Sequence, residues 1–91
     1  MRYIICYDID NDKLRNKVSD ILEAVGIRVQ ESVFECKISQ NNVNILAEKL
    51  AELITTDDSI IIYPVCKECF KKTLIVGEKK QYHGAKGYLI I

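Results

Sequence analysis

Three carboxylates that follow the first apolar segment are the strongest candidates for chemistry in this chain. No charged residue interrupts Tyr3–Tyr7, and Asp8, Asp10 and Asp12 come after it at intervals of two. The segment is typical of a central strand buried on both faces, and alternation along a strand places Asp8 and Asp10 on one face. Asp10 and Asp12 suit a turn and a helix cap. We expect Asp8 to lie at the buried end of the strand, where a carboxylate must be paired, hydrogen-bonded or bound to a cation.

A two-fold dimer would convert this single carboxylate into a pair. If Asp8 of each copy faced its mate near the axis, the two could not both ionise cheaply unless a divalent cation lay between them. Mg²⁺ accepts one or two carboxylates together with water and phosphate oxygens, so such a pair would suit phosphodiester hydrolysis. The carboxylates of one chain suggest no complete metal site.

A Cys-x-x-Cys pair is the second candidate for chemistry. Cys66 and Cys69 have the spacing of metal ligands, but a structural zinc site needs four ligands, and Cys6, Cys36 and His83 supply no second pair. We interpret the pair as small residues in a short turn, with zinc binding as the alternative. His83 lies in a basic segment and is expected at the surface. The sequence contains neither a glycine-rich phosphate loop nor a serine nucleophile motif.

Size and composition indicate one small domain. The chain has 91 residues, 48% of them hydrophobic, and its thirteen basic and thirteen acidic residues cancel. This balance argues against a strongly positive surface that wraps nucleic acid, although it permits a local basic patch. Since no apolar run approaches the roughly 20 residues that span a bilayer and no signal peptide is evident, we predict a cytoplasmic protein that contacts no membrane and holds its cysteines as thiols.

The apolar periodicity predicts which elements position these residues. A helical stripe runs through Leu14–Val25, with Asn11 or Asp12 as its cap and Gly26 ending it in a left-handed turn. The next segment, Ile27–Ile38, is rich in β-branched residues and predicts either one long bent strand or a segment that fills two strand positions of the sheet. The elements after it are a helix capped by Ser39, a strand Ser59–Tyr63 stopped by Pro64, a helical turn in Cys66–Lys72, a strand Thr73–Val76 closed by Gly77, and a tail strand Gly87–Ile91.

This order predicts an α+β, ferredoxin-like βαββαβ domain with an extra C-terminal strand. Residues 1–77 would form the core, and residues 78–91 a loop and the last strand. Two amphipathic helices can cover only one face of the sheet, yet Tyr3–Tyr7 and Ile60–Tyr63 are apolar on both faces. We therefore expect a homodimer packed sheet to sheet, with the tail exchanged onto the partner's edge.

Several segments, taken together at this spacing and chain length, resemble the second core protein of CRISPR adaptation, the small endonuclease-like partner of the CRISPR integrase (the Cas-two family). The resemblance covers about residues 1–77. It rests on Tyr7-Asp8-Ile9, the Lys13–Val18 helix, Gly26, Val29–Glu35, Ile62–Cys66 and Gly77.

The resemblance implies a nuclease that uses Mg²⁺, with Mn²⁺ as a substitute, on RNA or duplex DNA, and a protein that bridges integrase dimers on spacer DNA. It implies that Tyr7 and Asp8 belong to the active-site strand and that Ser32 and Phe34 belong to a second catalytic motif, with Asp8 as the metal ligand. The candidate nucleic-acid contacts are basic residues off the core stripes or in the basic loop: Arg15, Lys17, Arg28, Lys79, Lys80 and Lys86. Lys17 stands where many members of the family have arginine, and lysine lacks arginine's bidentate fork.

Three functions are therefore open at this point. The chain is a metal-dependent nuclease, a non-catalytic DNA-clamping scaffold of the adaptation complex, or an unrelated ferredoxin-like dimer that binds another ligand.

Overall fold

The computed structural model describes residues 1–77 and the backbone of residues 88–90. Its elements are β1 (Arg2–Asp8), α1 (Asp12–Glu23), β2 (Gly26–Gln30), β3 (Val33–Lys37), α2 (Gln40–Leu53), β4 (Ser59–Val65), α3 (Lys67–Lys71), β5 (Leu74–Val76) and β6 (Tyr88–Ile90). The first six elements form the predicted βαββαβ order, so the ferredoxin-like α+β fold is confirmed. None of the helices in the described part of the chain is long and apolar enough to cross a membrane.

Strand β1 is one of the two interior strands of a four-stranded antiparallel sheet with the order β2-β3-β1-β4. Ile5 of β1 lies between Phe34 of β3 and Ile62 of β4. The strand occupies an interior position because its apolar side chains can be buried between neighbouring strands on both edges and under the helices that pack on the sheet.

The core lies on one face of this sheet. Helices α1 and α2 bury residues at helical spacing, Val18 and Leu22 on the first and Leu46 and Leu50 on the second. These side chains form one cluster with the alternate residues of β1 and β3, Ile5, Tyr7, Phe34 and Cys36. Both helices therefore cover the same face.

The two helices begin where their capping residues were predicted. The side chain of Asn11 accepts a hydrogen bond from the amide of Leu14 at 2.9 Å, which decides between Asn11 and Asp12 as the cap. Ser39 accepts one from the amide of Asn42 at 3.2 Å. Each bond satisfies an amide that the helix itself leaves without a partner.

The β-branched segment after α1 forms two strands and not one bent strand. Strands β2 and β3 pair across the two residues Glu31 and Ser32, with a register shift between Arg28 and Gln30. This hairpin brings Ser32 next to β1, where its carbonyl accepts a hydrogen bond from the amide of Tyr7 at 3.1 Å.

The left-handed turn predicted at Gly26 is wrong. Ala24, the C-cap of helix α1, has a right-handed conformation, and Gly77 is the glycine with positive φ (96°) in the described part of the chain. Gly26 instead begins β2 opposite Cys36. A Cβ atom on it would lie 2.5 Å from the Cys36 sulfur and 2.5 Å from the Glu35 carbonyl oxygen, so the glycine permits close approach of two strands.

Pro64 does not stop β4 as predicted, because the strand continues to Val65. Strand β4 is an edge of the sheet, and Pro64 pairs in register with Tyr3 on its inner side only. An edge strand tolerates a residue that lacks an N–H group, whereas a central strand would lose a ladder bond.

Strands β5 and β6 form a separate two-stranded parallel sheet, in which Leu74 is opposite Tyr88 and Val76 opposite Ile90. The predicted helical turn before β5 is confirmed as α3. Residues 78–87 and 91 lie outside the described part of the chain, so the domain division at residue 77 and the exchange of the tail stay predictions.

Replacement of Gly26 by alanine should lower the free energy of unfolding by about 1–3 kcal/mol, the usual cost of overpacking. One of the two atoms that the new methyl group would meet belongs to the backbone, so a rotamer change cannot relieve the clash. Urea unfolding of Gly26→Ala against the parent measures the effect, and Gln30→Ala, at an exposed position of the same strand, is the control. Equal stability of Gly26→Ala and the parent would contradict the close approach of β2 and β3.

Candidate functional site

The candidate site lies on the face of the sheet that the two helices leave uncovered. Cys6 is opposite Ile61 and Asp8 is opposite Ser59, and residues directly opposite one another share a face. Ile61 is 48% exposed, and Tyr63, farther along the same face of β4, is 51% exposed. The uncovered face therefore combines exposed apolar side chains with the exposed carboxylate of Asp8 and with the buried side chain of Glu35, which is opposite Ile4.

The prediction that Asp8 is buried is wrong, because its side chain is exposed. The cause is the register of β1 with its two neighbours. Pairing with β3 ends at Cys6, opposite Val33, whereas pairing with β4 continues to Asp8, opposite Ser59. At Asp8 the sheet therefore has a neighbour on one side only, and solvent reaches the carboxylate.

Arg15 fixes the loop that follows Asp8. Its guanidinium donates hydrogen bonds to the carbonyls of Ile9 at 3.1 Å and Asp10 at 3.3 Å, and it pairs with the carboxylate of Asp12. These contacts stabilise the turn from β1 into α1. Lys17, two residues farther along the helix, is exposed. Of these two predicted phosphate contacts, Arg15 thus has an additional role within the chain.

Tyr7 and Phe34 lie on the core side of the sheet, opposite the face that carries Asp8. Their rings stack with centroids 6.2 Å apart, and Tyr7 is 6% and Phe34 0% exposed. The Tyr7 hydroxyl donates to the carbonyl of Glu31 at 3.4 Å, and the Tyr7 amide donates to Ser32. The structure thus brings together Tyr7, Ser32 and Phe34 behind the end of β1, and their catalytic assignment stays a prediction.

Arg28 connects α1 to the β2–β3 turn. Its guanidinium lies 4.9 Å from the centre of the Phe34 ring and donates to Glu23 at 3.3 Å, to the Ser19 hydroxyl and to the carbonyl of Glu31. Sequence reasoning missed Ser19 and Glu23. Their spacing of four residues on α1, off the apolar stripe, is the signal that could have identified them. A phosphate contact by Arg28 stays a prediction, and it would share the guanidinium with these groups.

Lys79, Lys80, Lys86 and His83 lie outside the described residues. Within the described ranges, no cluster of three or more histidine, cysteine, aspartate or glutamate side chains could hold a metal ion. Cys36 is buried, and this burial, with a contribution from the charge of Glu35, raises the pKa of its thiol to about 11. The Cys36 thiol is therefore a poor ligand at neutral pH.

Truncation of Arg15 to alanine should lower the free energy of unfolding by about 1 kcal/mol, since the loop after β1 loses several hydrogen bonds from a half-exposed cation. Lys17→Ala, in the same helix, should change stability little. Thermal or urea unfolding of both variants measures the difference. Equal stability of the two would contradict the assignment of Arg15 as the residue that fixes this loop.

The chain is similar in sequence to proteins of one known family. The family model described as CRISPR associated protein Cas2 matches residues 1–73. The chain is 40% identical over 77 residues to a protein of Synechocystis sp. named CRISPR-associated endoribonuclease Cas2 3, and the match covers 84% of each chain.

Two solved structures are similar as well. Cas2 from Streptococcus pyogenes at pH 6.5 has a TM-score of 0.68 and 29% identity, covering 74% of this chain and 88% of that one. A chain of a partial Cas6-RT-Cas1–Cas2 complex has a TM-score of 0.69 and 35% identity, covering 76% and 82%. The matched family is the one that the Tyr7-Asp8-Ile9 and Val29–Glu35 segments resemble. The chain therefore belongs to the CRISPR-associated protein Cas2 family.

Proposed function

We propose that two copies of this chain pack through their uncovered sheet faces and form a Mg²⁺-dependent nuclease of CRISPR adaptation. One observation carries the proposal: Asp8 lies on the same uncovered face as the exposed apolar residues Ile61 and Tyr63. The contact that buries this face in a symmetric dimer therefore involves the face that carries Asp8 in both copies.

The case for the dimer rests on apolar surface that the single chain leaves in water. Besides Ile61 and Tyr63, Ile27 of β2 is 43% exposed, and Leu74 and Val76 of β5 are largely exposed. Strand β5 makes no ladder with the four-stranded sheet of its own chain. Burial of these side chains against a second copy is favourable, and β5 or β6 could add to the partner's sheet edge.

The donor set fits Mg²⁺ or Mn²⁺ with one ligand from each chain. Asp8 supplies hard carboxylate oxygen and is exposed, and Mg²⁺ accepts one or two carboxylates while water and phosphate oxygens complete its shell. A bound divalent cation would polarise the scissile phosphodiester and make water a better nucleophile. In this arrangement Asp8 holds the ion, while Arg15 fixes the loop behind it.

The substrate would be held by phosphate contacts from the basic residues named above. Lys17 is exposed and available to such a contact, and Arg15 retains partial exposure. Contacts of this kind give little sequence preference and weaken as salt rises. With equal numbers of acidic and basic residues, the affinity would depend on a few local positions.

The names of similar proteins support a substrate class and a partner for the proposal. The Synechocystis relative is named an endoribonuclease, and one similar structure is part of a Cas6-RT-Cas1–Cas2 complex. For this chain we propose cleavage of RNA, as in the relative's name, or of duplex DNA, as the sequence resemblance implies. We also propose assembly in the cytoplasm with the CRISPR integrase, whose dimers the protein would bridge on spacer DNA.

A scaffold that clamps DNA without cleaving it is the second candidate. The observation that favours it is the balanced charge together with the exposed position of Asp8, which gives that carboxylate no buried environment of its own. In this function the same face forms the dimer, and Asp8 is dispensable.

The dimer can be tested by light scattering at micromolar concentration, which should give twice the chain mass of 10.4 kDa. Ile61→Asp places a charge in the proposed interface and should shift the protein toward the monomer. Ile45→Asp is the matched control, because Ile45 is 63% exposed on α2, a helix on the opposite face of the sheet. A monomeric parent, or equal effects of the two variants, would contradict the interface.

The chemistry can be tested with Asp8→Asn, which keeps the size of the side chain and removes its charge. Cleavage of labelled RNA and duplex DNA should require Mg²⁺ or Mn²⁺, stop with a chelator and fall by orders of magnitude in the variant. Asp10→Asn, also exposed and two residues away, should retain most of the activity.

The same variant separates the two candidate functions. Unchanged cleavage by Asp8→Asn would point to a contaminating nuclease and overturn the enzymatic proposal. A variant that no longer cleaves but still supports spacer insertion with the integrase would establish that cleavage is dispensable for adaptation.

A further inference from the structure

Two thiols lie together at the surface where α3 begins. Cys66 is the N-cap of α3, and the amide of Cys69 donates a hydrogen bond to its sulfur at 3.3 Å. Both side chains are exposed, and both cysteines are free. This pair has no role in the proposed nuclease, so it requires a separate explanation.

The contacts make the two thiols chemically different. The hydrogen bond from the Cys69 amide lowers the pKa of Cys66, with a further contribution from the hydrogen bond between the two side chains. That side-chain bond and the charge of Cys66 raise the pKa of Cys69. The neighbouring Glu68 acts on Cys66 in both directions, because its amide favours the thiolate and its carboxylate opposes it. Cys66 is thus the thiol of the pair that ionises more readily, and Cys69 the one that ionises less readily.

The backbone also permits a bond between the two sulfur atoms. The N-cap and the third residue of a helix lie nearly one turn apart, which separates their Cα atoms by roughly 5 Å. Disulfides join Cα atoms about 4.4–6.8 Å apart. Closure of the bridge therefore needs no rearrangement of α3.

The other two cysteines contrast with this pair. Cys36 is fully buried with a raised pKa, and Cys6 is half-buried on the uncovered sheet face. Metal binding is a weaker explanation for Cys66 and Cys69, because they lack the third ligand that a cluster in the described ranges would need.

We propose that Cys66 and Cys69 form a redox-active dithiol that reacts with low-molecular-weight disulfides to give an intramolecular disulfide. The Cys66 thiolate attacks one sulfur of the small disulfide, forms a mixed disulfide and releases one small thiolate. Cys69 then gives its proton to the released small thiolate and attacks the Cys66 sulfur, which releases the second small thiolate. That thiolate takes up the proton that Cys66 lost on ionising. Two protein thiols are oxidised, and one small disulfide is reduced to two thiols.

The position of the pair gives the bridge a structural consequence. Helix α3 is held to the sheet by Phe70, whose ring lies 4.5 Å from the guanidinium carbon of Arg2. Phe70 is buried, and its carbonyl accepts a hydrogen bond from the Thr73 hydroxyl at 2.6 Å, just before β5. A bridge across the first turn would stiffen the link between β4 and β5 without disturbing this anchor.

The test uses the reduced full-length protein in glutathione buffers of graded ratio of oxidised to reduced form. The samples are then quenched with acid, alkylated and measured by mass spectrometry. We expect the segment with Cys66 and Cys69 to lose two hydrogen atoms and to stay unalkylated, while Cys6 and Cys36 become alkylated. At pH 7, Cys66 in the reduced protein should be alkylated at least about tenfold faster than Cys69, since the thiolate is the reactive form.

Variants make the proposal falsifiable. Cys66→Ser keeps an N-cap oxygen and should abolish the bridge without loss of the fold, and Cys69→Ser should stop at the mixed disulfide on Cys66. Cys6→Ser is the control and should still form the bridge. Mixed disulfides without an intramolecular bridge in the parent would overturn the proposal. Binding of one zinc ion by two chains would overturn it as well, if the Cys66 and Cys69 thiols of both chains were then protected from alkylation.

Discussion

Side chains alternate along β1, so each step along this strand crosses from one face of the sheet to the other. Ile5 and Tyr7 enter the core beneath the helices, and Cys6 and Asp8 face the uncovered side. Because two helices cover only one face of a four-stranded sheet, Ile61 and Tyr63 on the other face stay about half exposed in the single chain. The alternation in a single central strand thus separates the residues that stabilise the domain from those available for association and chemistry.

Two arginines fix the turns at the end of β1, and each does so through several weak contacts. Arg15 holds the loop into α1, and Arg28 holds the β2–β3 turn that carries Ser32. If either guanidinium also contacts a phosphate, it must exchange or share its bonds within the chain, which reduces the net gain in binding free energy. Lys17 is exposed on α1 and would contact a phosphate with less reorganisation, although as a point charge without a planar fork.

The elements that the sequence predicts correctly are those decided by nearby residues, and the errors all depend on distant ones. The caps Asn11 and Ser39 follow from hydrogen bonds that span three residues. The role of Gly26 depends on the approach of β3, and the tolerance of Pro64 depends on β4 being an edge. The exposure of Asp8 depends on how far β1 extends past β3 and on its longer pairing with β4. Periodicity specifies which face a residue occupies, but it does not specify where the neighbouring strand ends.

The exposure of Asp8 changes where the free-energy cost of a carboxylate pair would arise. In a single chain the Asp8 side chain is exposed, so it has lost no solvation free energy to burial. In the proposed dimer the penalty would appear on association, when two such groups approach each other as apolar surface around Ile61 and Tyr63 is buried. A cation that binds both carboxylates would remove that repulsion and would bind the dimer more tightly than the monomer. By linkage, cation binding and dimerisation would then strengthen each other to the same extent, so that the metal site and the interface form one thermodynamic unit.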